Sequence, residues 1–326
     1  MRRRTLLAVS LGGACGRGGR RLNVFNWSDY VATDTIPGFE RETGVRIRYG
    51  LYESAEEMLA RVWSGNSGWD VAFPSNAFVP PMREAGLLAK LDRSRLTNLA
   101  NLDPVFRRPP WDPELDHCLP YMWGSTGIVY QRSLAKPVTA WADLWDPALR
   151  GRVTMLDDPA EVFGACLKRI GASVNSTDAS ELARAREQAI AQKSVLRAYL
   201  NAEARDQLVA GDILAAQAWR ITARQAIDAA PDRLAFVYPR EGFPIYADCA
   251  VVLRESKRVE LAHEFIDYLL RADVARTIAR EMKTATCNAA AREAPDPVPN
   301  GGEWFLPMPA AAQRLRDRLW TEIKAA

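Results

Sequence analysis

Leu22-Asn-Val-Phe-Asn-Trp27, then Thr33 to Thr43 closed by Gly44, then Val45-Arg-Ile-Arg-Tyr49: these three consecutive stretches decide the fold. The first is a short apolar run ending on an aromatic residue and reads as a strand. The second is helix-like and stops at a glycine, which tolerates the left-handed backbone that often follows a helix. The third alternates apolar and charged side chains, the period of a half-exposed strand. Together they form a β-α-β unit, and the alternation continues outward. Glu53 to Trp63 reads as a helix, Trp69-Asp-Val-Ala-Phe73 as a strand, and Val79 to Ala85 as a helix before Gly86. Such alternation is the signature of layered α/β structure.

The stretch from Asp92 to Pro120 is rich in Pro, Asn and Asp and reads as an extended connection. At that length it is better suited to crossing between lobes or skirting a site than to a compact core. Strands are predicted over Trp123–Tyr130, Gly151–Leu156, Ile213–Trp219, Leu234–Tyr238 and Asp248–Leu253. Helices are predicted over Pro159–Ile170, 179–192, 203–210, Thr222–Asp228, Lys257–Leu270, Val274–Met282 and Ala310–Ile323. No repeat or low-complexity tract interrupts them.

The length of 326 residues fits one large domain or two of ordinary size. With 48% hydrophobic and 25% charged residues, and no run of eighteen apolar positions, the chain reads neither as disordered nor as a membrane span. Lys plus Arg number 43 against 40 Asp plus Glu, and setting aside Arg2, Arg3 and Arg4 leaves the two signs level. Net charge therefore gives no reason to bind nucleic acid or an anionic membrane. Only His117 and His263 are present, too few for a multi-histidine metal site.

Arg2, Arg3 and Arg4 precede the apolar run Leu6 to Leu11, then Gly12, Gly13, Ala14 and Cys15, which reads as an export signal over residues 1–20. The run from Arg3 to Leu7 resembles a twin-arginine signal. Ala14-Cys15 resembles a lipoprotein cleavage site, with Cys15 the candidate for lipid attachment. The alternative is a frayed tail carrying an incidental thiol. Cys118, Cys166, Cys249 and Cys287 remain, and four thiols allow three pairings between which sequence does not choose. No C-x-x-C exists to support zinc or redox chemistry, and buried free thiols are the ordinary reading.

Several enzyme signatures are absent: no G-x-G-x-x-G, P-loop lysine, H-E-x-x-H or G-x-S-x-G. His263 falls off the apolar stripe of its helix and reads as a surface histidine rather than a catalytic one. What stands out are aromatics and acids at strand ends, where open α/β sheets hold ligands. Each has an ordinary local reading as well. Asp158-Pro159-Ala160-Glu161 is a helix start with a cap, a first-turn proline and a glutamate reaching back. Trp27 and Trp219 read equally well as core residues, and Asp248 as a turn residue.

In order along the chain stand Asn26-Trp27-Ser28-Asp29-Tyr30, Tyr52-Glu53-Ser54, Trp69-Asp70-Val71 with Pro74-Ser75, and Thr97-Asn98-Leu99-Ala100-Asn101-Leu102-Asp103-Pro104. Pro120-Tyr121-Met122-Trp123-Gly124, Trp141-Ala142-Asp143-Leu144-Trp145 and Asp157-Asp158-Pro159-Ala160-Glu161-Val162-Phe163 follow. This ordered set resembles the spermidine/putrescine-binding proteins of bacterial ABC importers, from residue 22 to about 305.

The resemblance implies an α/β, two-lobed periplasmic binding protein of the type II-like kind, each lobe a mixed sheet flanked by helices, with the ligand in the interlobe cleft. Residues 21–126 and 247–292 are assigned to one lobe, and 127–246 and 293–326 to the other. Trp27, Tyr30, Trp219 and Tyr246 fall where that family places its aromatic box, Tyr246 where tryptophan is common. Ser75 matches a ligand-side position. Asp158, Glu161 and Asp248 match the carboxylates that receive ammonium groups. Ala77 and Thr284 stand where the family has tyrosines, and Phe305 where glutamine occurs, which puts ligand length and selectivity in question.

The implied function is a periplasmic, monomeric solute-binding subunit that delivers a polyamine to permease subunits. No enzyme activity, cofactor or nucleic-acid partner is implied, and membrane contact is made only through a lipid anchor on Cys15. Another small cationic amine or a quaternary ammonium compound is the alternative ligand. An exported hydrolase using Asp158 and Glu161 as an acid/base pair is the reading from a different class. Polyamine chemistry fits the residue types. Several ammonium charges along a methylene chain call for acids at intervals and aromatic faces between them.

Overall fold

Strands β1 (Arg21–Trp27) and β2 (Arg46–Tyr52) run parallel, paired without a break from Arg21 opposite Arg46 to Trp27 opposite Tyr52. Helix α1 (Thr35–Thr43) connects them and ends on Gly44, whose φ of 69° and N–H bond to the Glu40 carbonyl close the helix. The opening unit is therefore the β-α-β read from sequence. The computed structural model describes residues 20–28, 30–293 and 298–326. The export-signal reading and Cys15 lie outside the described residues.

The chain continues through α2 (Ala55–Val62), β3 (Val71–Ala72), α3 (Val79–Glu84), β4 (Leu119–Gln131), β5 (Val153–Met155), α4 (Pro159–Arg169), α5 (Ala179–Gln192) and β6 (Leu196–Tyr199). After these come α6 (Ala204–Ala210), β7 (Ala215–Trp219), α7 (Arg220–Ala229), β8 (Leu234–Val237), β9 (Phe243–Val252), α8 (Val259–Leu269) and α9 (Ala272–Met282). Strands β10 (Ala285–Thr286) and β11 (Gly302–Trp304) and helix α10 (Ala310–Ala325) complete the described structure. No helix among the described residues is long and apolar enough to cross a membrane.

The strand path is β2-β1-β3-β9-β4-β7-β5-β6, with β8 and β10 attached to β4 and β11 to β9. Two long antiparallel strands carry it from one half to the other. β4 pairs with β9 from Leu119 opposite Ala250 to Ser125 opposite Ile245, with an irregularity between Pro120 and Met122. Beyond that point β4 pairs with β7, starting at Thr126 opposite Trp219, and with β8. At its other end β9 pairs with β3.

Buried apolar side chains segregate accordingly. One cluster draws on residues between 22 and 123 and between 247 and 287, including Phe39, Phe73, Phe106 and Phe265. A second draws on residues between 128 and 245 together with Leu319 and Ile323 of α10. A small third one, around Val129, Leu208 and Ile213, lies within the same half as the second. The molecule is two-lobed, a mixed sheet flanked by helices in each lobe, with β4 and β9 common to both.

Three expectations are corrected. The segment from Asp92 to Pro120 is no simple crossing: it winds through 3-10 turns at Arg93–Arg95, Leu99–Asn101 and Pro104–Phe106. Its Leu96, Leu102, Phe106 and Trp111 are buried in the first cluster, so its prolines and aspartates cap turns around a core. That segment also covers α8, which buries His263 to 1% exposure instead of leaving it at the surface. His263 Nε2 accepts the Asp92 N–H at 2.8 Å, and its Nδ1, 2.7 Å from the Val259 carbonyl, is the nitrogen placed to donate. Finally, β4 and β9 are longer than their apolar runs predict, because Pro120 and Pro244 sit inside them, and the short strands β6, β10 and β11 carry too few residues to show a period.

Candidate functional site

Side chains alternate along a strand, so Tyr246 and Asp248 leave one face of β9, and Gly124 and Thr126 one face of β4. Register places Gly124 opposite Tyr246, so all four positions share one face where the lobes meet.

Asp248 is the first-lobe acid, 2% exposed. The Tyr30 hydroxyl donates to its Oδ2 at 2.7 Å, and the Tyr30 carbonyl accepts from the Tyr121 hydroxyl at 2.6 Å. Burial pushes the Asp248 carboxyl up to about 7, the Tyr30 bond opposing the rise. Ser75 forms a β-bridge with Asp248, and the neighbouring Cys249 N–H donates to the Pro74 carbonyl at 2.8 Å. Trp27, at the end of β1, donates its indole N–H to the Phe73 carbonyl at 3.0 Å. Its ring centroid lies 4.6 Å from that of Tyr52 and 6.4 Å from that of Tyr30.

Glu161 is the second-lobe acid, also 2% exposed. Helix α4 begins as its sequence predicts, with Asp158 Oδ1 accepting the Glu161 N–H at 3.0 Å and Pro159 in the first turn. Glu161 does not reach back to the cap, as the local helix-start reading has it. Its Oε1 accepts instead from the Thr126 hydroxyl at 2.9 Å and from the Trp219 indole N–H at 3.0 Å, while its buried Oε2 has no hydrogen-bond partner among the described residues. Burial raises this carboxyl to about 8, with the Asp158 charge adding to the rise and the bonds from Thr126 and Trp219 opposing it.

Tyr246 lies between the two acids. Burial raises its phenol first, and the charges of Asp248, Glu161 and Asp158 raise it further, so one ring is within electrostatic reach of all three carboxylates. Trp27, Tyr30, Ser75 and Asp248 thus gather in the first lobe and Asp158, Glu161 and Trp219 in the second, with Tyr246 on a strand common to both. Of the departures from the family pattern, Phe305 is fixed by its backbone, its N–H donating to the Ile245 carbonyl at 2.9 Å. Ala77 lies in the turn after Ser75, and Thr284 follows α9.

Sequence reading missed two participants and one arginine contact beside Trp219 in the chain. Thr126 holds Glu161, and its signal is the position opposite a strand-end tryptophan. Asn76 is fully buried, accepting the Ala247 N–H at 3.0 Å and donating to the Phe305 carbonyl at 2.6 Å. The Arg220 guanidinium, at the start of α7, lies 5.1 Å from the Trp123 ring centroid. An asparagine after Pro-Ser and an arginine after a strand give no such signal by themselves. The gathered groups offer buried carboxylates and aromatic faces, and His263 is held away from them on Asp92 and Val259. Such an arrangement can receive a cation of more than one charge.

A family model described as bacterial extracellular solute-binding protein matches residues 36–303. The spermidine/putrescine-binding periplasmic protein of Escherichia coli is 33% identical over 335 residues, covering 98% of this chain and 96% of its own. The putrescine/cadaverine-binding protein of Pseudomonas aeruginosa is 32% identical, covering 99% of each. Among solved structures, the TpPotD lipoprotein of Treponema pallidum superposes with a TM-score of 0.86 at 26% identity, covering 93% of this chain and 99% of its own.

Proposed function

The chain belongs to the bacterial extracellular solute-binding protein family, and from that premise we propose that it is the periplasmic subunit of an ABC importer that binds a polyamine of the putrescine or spermidine kind. The observation that carries this reading is the pair of buried carboxylates, Asp248 and Glu161, contributed by opposite lobes and each hydrogen-bonded to an aromatic side chain. Two acids whose carboxyls burial pushes up to about 7 and about 8 gain most from a ligand that brings a positive charge to each. Tyr30, Trp27, Trp219 and Tyr246 act as the aromatic box around the methylenes, Ser75 contacts the ligand beside Asp248, and Asp158 adds negative charge next to Glu161. The lobes comprise residues 21–126 with 247–292 and 127–246 with 293–326, a division supported by the separate apolar clusters.

Binding is coupled to closure of the lobes, and the closed monomer is what the permease receives. The protein catalyses no reaction. Asp158 spends one oxygen capping α4, which supports a structural and electrostatic role over that of an acid/base partner. Calorimetry with putrescine, cadaverine, spermidine and choline, beside a turnover assay on the same amines, tests the reading. Micromolar binding of a polyamine, about −8 kcal/mol, with no product supports it. Choline bound in preference to every polyamine moves the assignment to quaternary amines, and product formation overturns the transport reading.

A further inference from the structure

We propose that Gly124 determines the depth of the ligand space: without a side chain, it lets the ring of Tyr246 lie across β4 as the floor between the two carboxylates. A glycine inside a strand is destabilising relative to alanine, so it needs a local reason. Backbone conformation is not that reason, since Gly124 is absent from the positive-φ glycines of the described chain. Space is. A Cβ built at Gly124 would lie 2.4 Å from both Cζ and the hydroxyl of Tyr246 and 2.7 Å from its Cε2. The far edge of the ring therefore occupies the volume that any other residue would fill.

The register explains what this accomplishes. Gly124 stands opposite Tyr246, Asp248 is two residues along β9 on the same face, and Thr126, which holds Glu161, is two residues along β4 on the same face. The ring thus rests on the line from one acid to the other. The Tyr238 hydroxyl and Ser125 Oγ, 2.9 Å apart, tie the adjoining strands, so β4 has little room to recede from a crowding methyl. A methyl at 124 lifts the ring toward the ligand, narrowing the space along which the methylenes would run.

The inference rests on the functional reading above, and the test separates the two. Putrescine affinity is measured by calorimetry for the wild type, Gly124→Ala, Tyr246→Ala and the double variant, with thermal unfolding of each. Gly124→Ala weakens binding about tenfold or more. In the Tyr246→Ala background the same change costs less than about twofold in affinity and lowers the melting temperature less than it does beside the intact ring, because the crowded edge is gone. Equal losses in both backgrounds overturn the inference, since they place the effect in the backbone of β4. If Gly124→Ala alone does not fold, a folded double variant supports the steric contact and an unfolded one overturns it. Wild-type protein that binds no amine overturns the functional reading and this inference with it; wild-type binding with Gly124→Ala within twofold overturns this inference alone.

Discussion

Tyr30 and Asp248 stand 218 positions apart and meet through a 2.7 Å hydrogen bond from the phenol to the carboxylate. The bond holds a buried acid in one orientation and supplies part of the solvation it loses on burial. Replacing the acid should therefore separate binding from stability. Asp248→Asn is expected to weaken putrescine binding by more than about a hundredfold, the consequence of leaving an ammonium without its buried partner at about 3–5 kcal/mol. At pH 8 the same change raises the melting temperature of the ligand-free protein, because a buried charge has been removed. Unchanged affinity excludes Asp248 from the site.

Acidity of the two carboxyls sets the direction of pH dependence. Asp248 at about 7 and Glu161 at about 8 lie above ordinary carboxylate values, so the folded, ligand-free protein keeps protons that the unfolded chain has released. Their contribution to stability is greatest below about pH 4 and declines as pH rises through about 7 and 8. A cationic ligand favours the ionised acids, so affinity rises with pH across the same window and binding near neutrality releases protons. Titrations in buffers of different ionisation heat check this, and identical heats in all of them count against it.

Two indole N–H groups should respond differently to replacement by phenylalanine. The Trp219 donor serves Glu161, whereas the Trp27 donor serves the Phe73 carbonyl. Trp219→Phe keeps a ring but removes one of two bonds to the acid, with an expected affinity loss of about tenfold to a hundredfold. Trp27→Phe should cost less in affinity. Reversal of that order in a calorimetric comparison contradicts the assigned roles.

Asn76 predicts a stability effect instead. Asn76→Ala strands the buried Ala247 N–H and the Phe305 carbonyl together, for an expected loss of about 2–4 kcal/mol in unfolding free energy. Urea denaturation measures it, and a loss under about 0.5 kcal/mol shows that water replaces the side chain without penalty.

The thiols divide by lobe. Cys118, Cys249 and Cys287 belong to the first apolar cluster and Cys166 to the second. Under oxidising conditions peptide mapping should find no disulfide between Cys166 and Cys118, Cys249 or Cys287 of the same chain, and such a disulfide contradicts the fold.

How much of this was written in the chain depends on the range over which each signal acts. The Val45–Tyr49 alternation and the Gly44 stop are local, and β1-α1-β2 formed as read. The Asp158 cap was equally local and formed, yet Glu161 turned away from it, because Thr126 and Trp219 from two other strands offered donors that no window of sequence displays. His263 shows the same limitation. Its own helix marks it as peripheral, and only the fold of the distant segment around Asp92 buries it. Resemblance brought Trp27, Asp158, Glu161, Trp219 and Asp248 into view as a group, but Thr126 and Asn76 became legible only when the strands were paired.

The pairing of β4 with β9 has a mechanical consequence. Two adjacent ribbons that thread both halves resist sliding and shearing, and Gly124, Ser125, Ile245 and Tyr246 lie side by side where the halves meet. In the proposed function the same residues lie beneath the cargo. On that reading a swing of the halves would turn about an axle passing beneath the bound molecule, with Asp248 to one side of it and Glu161 to the other.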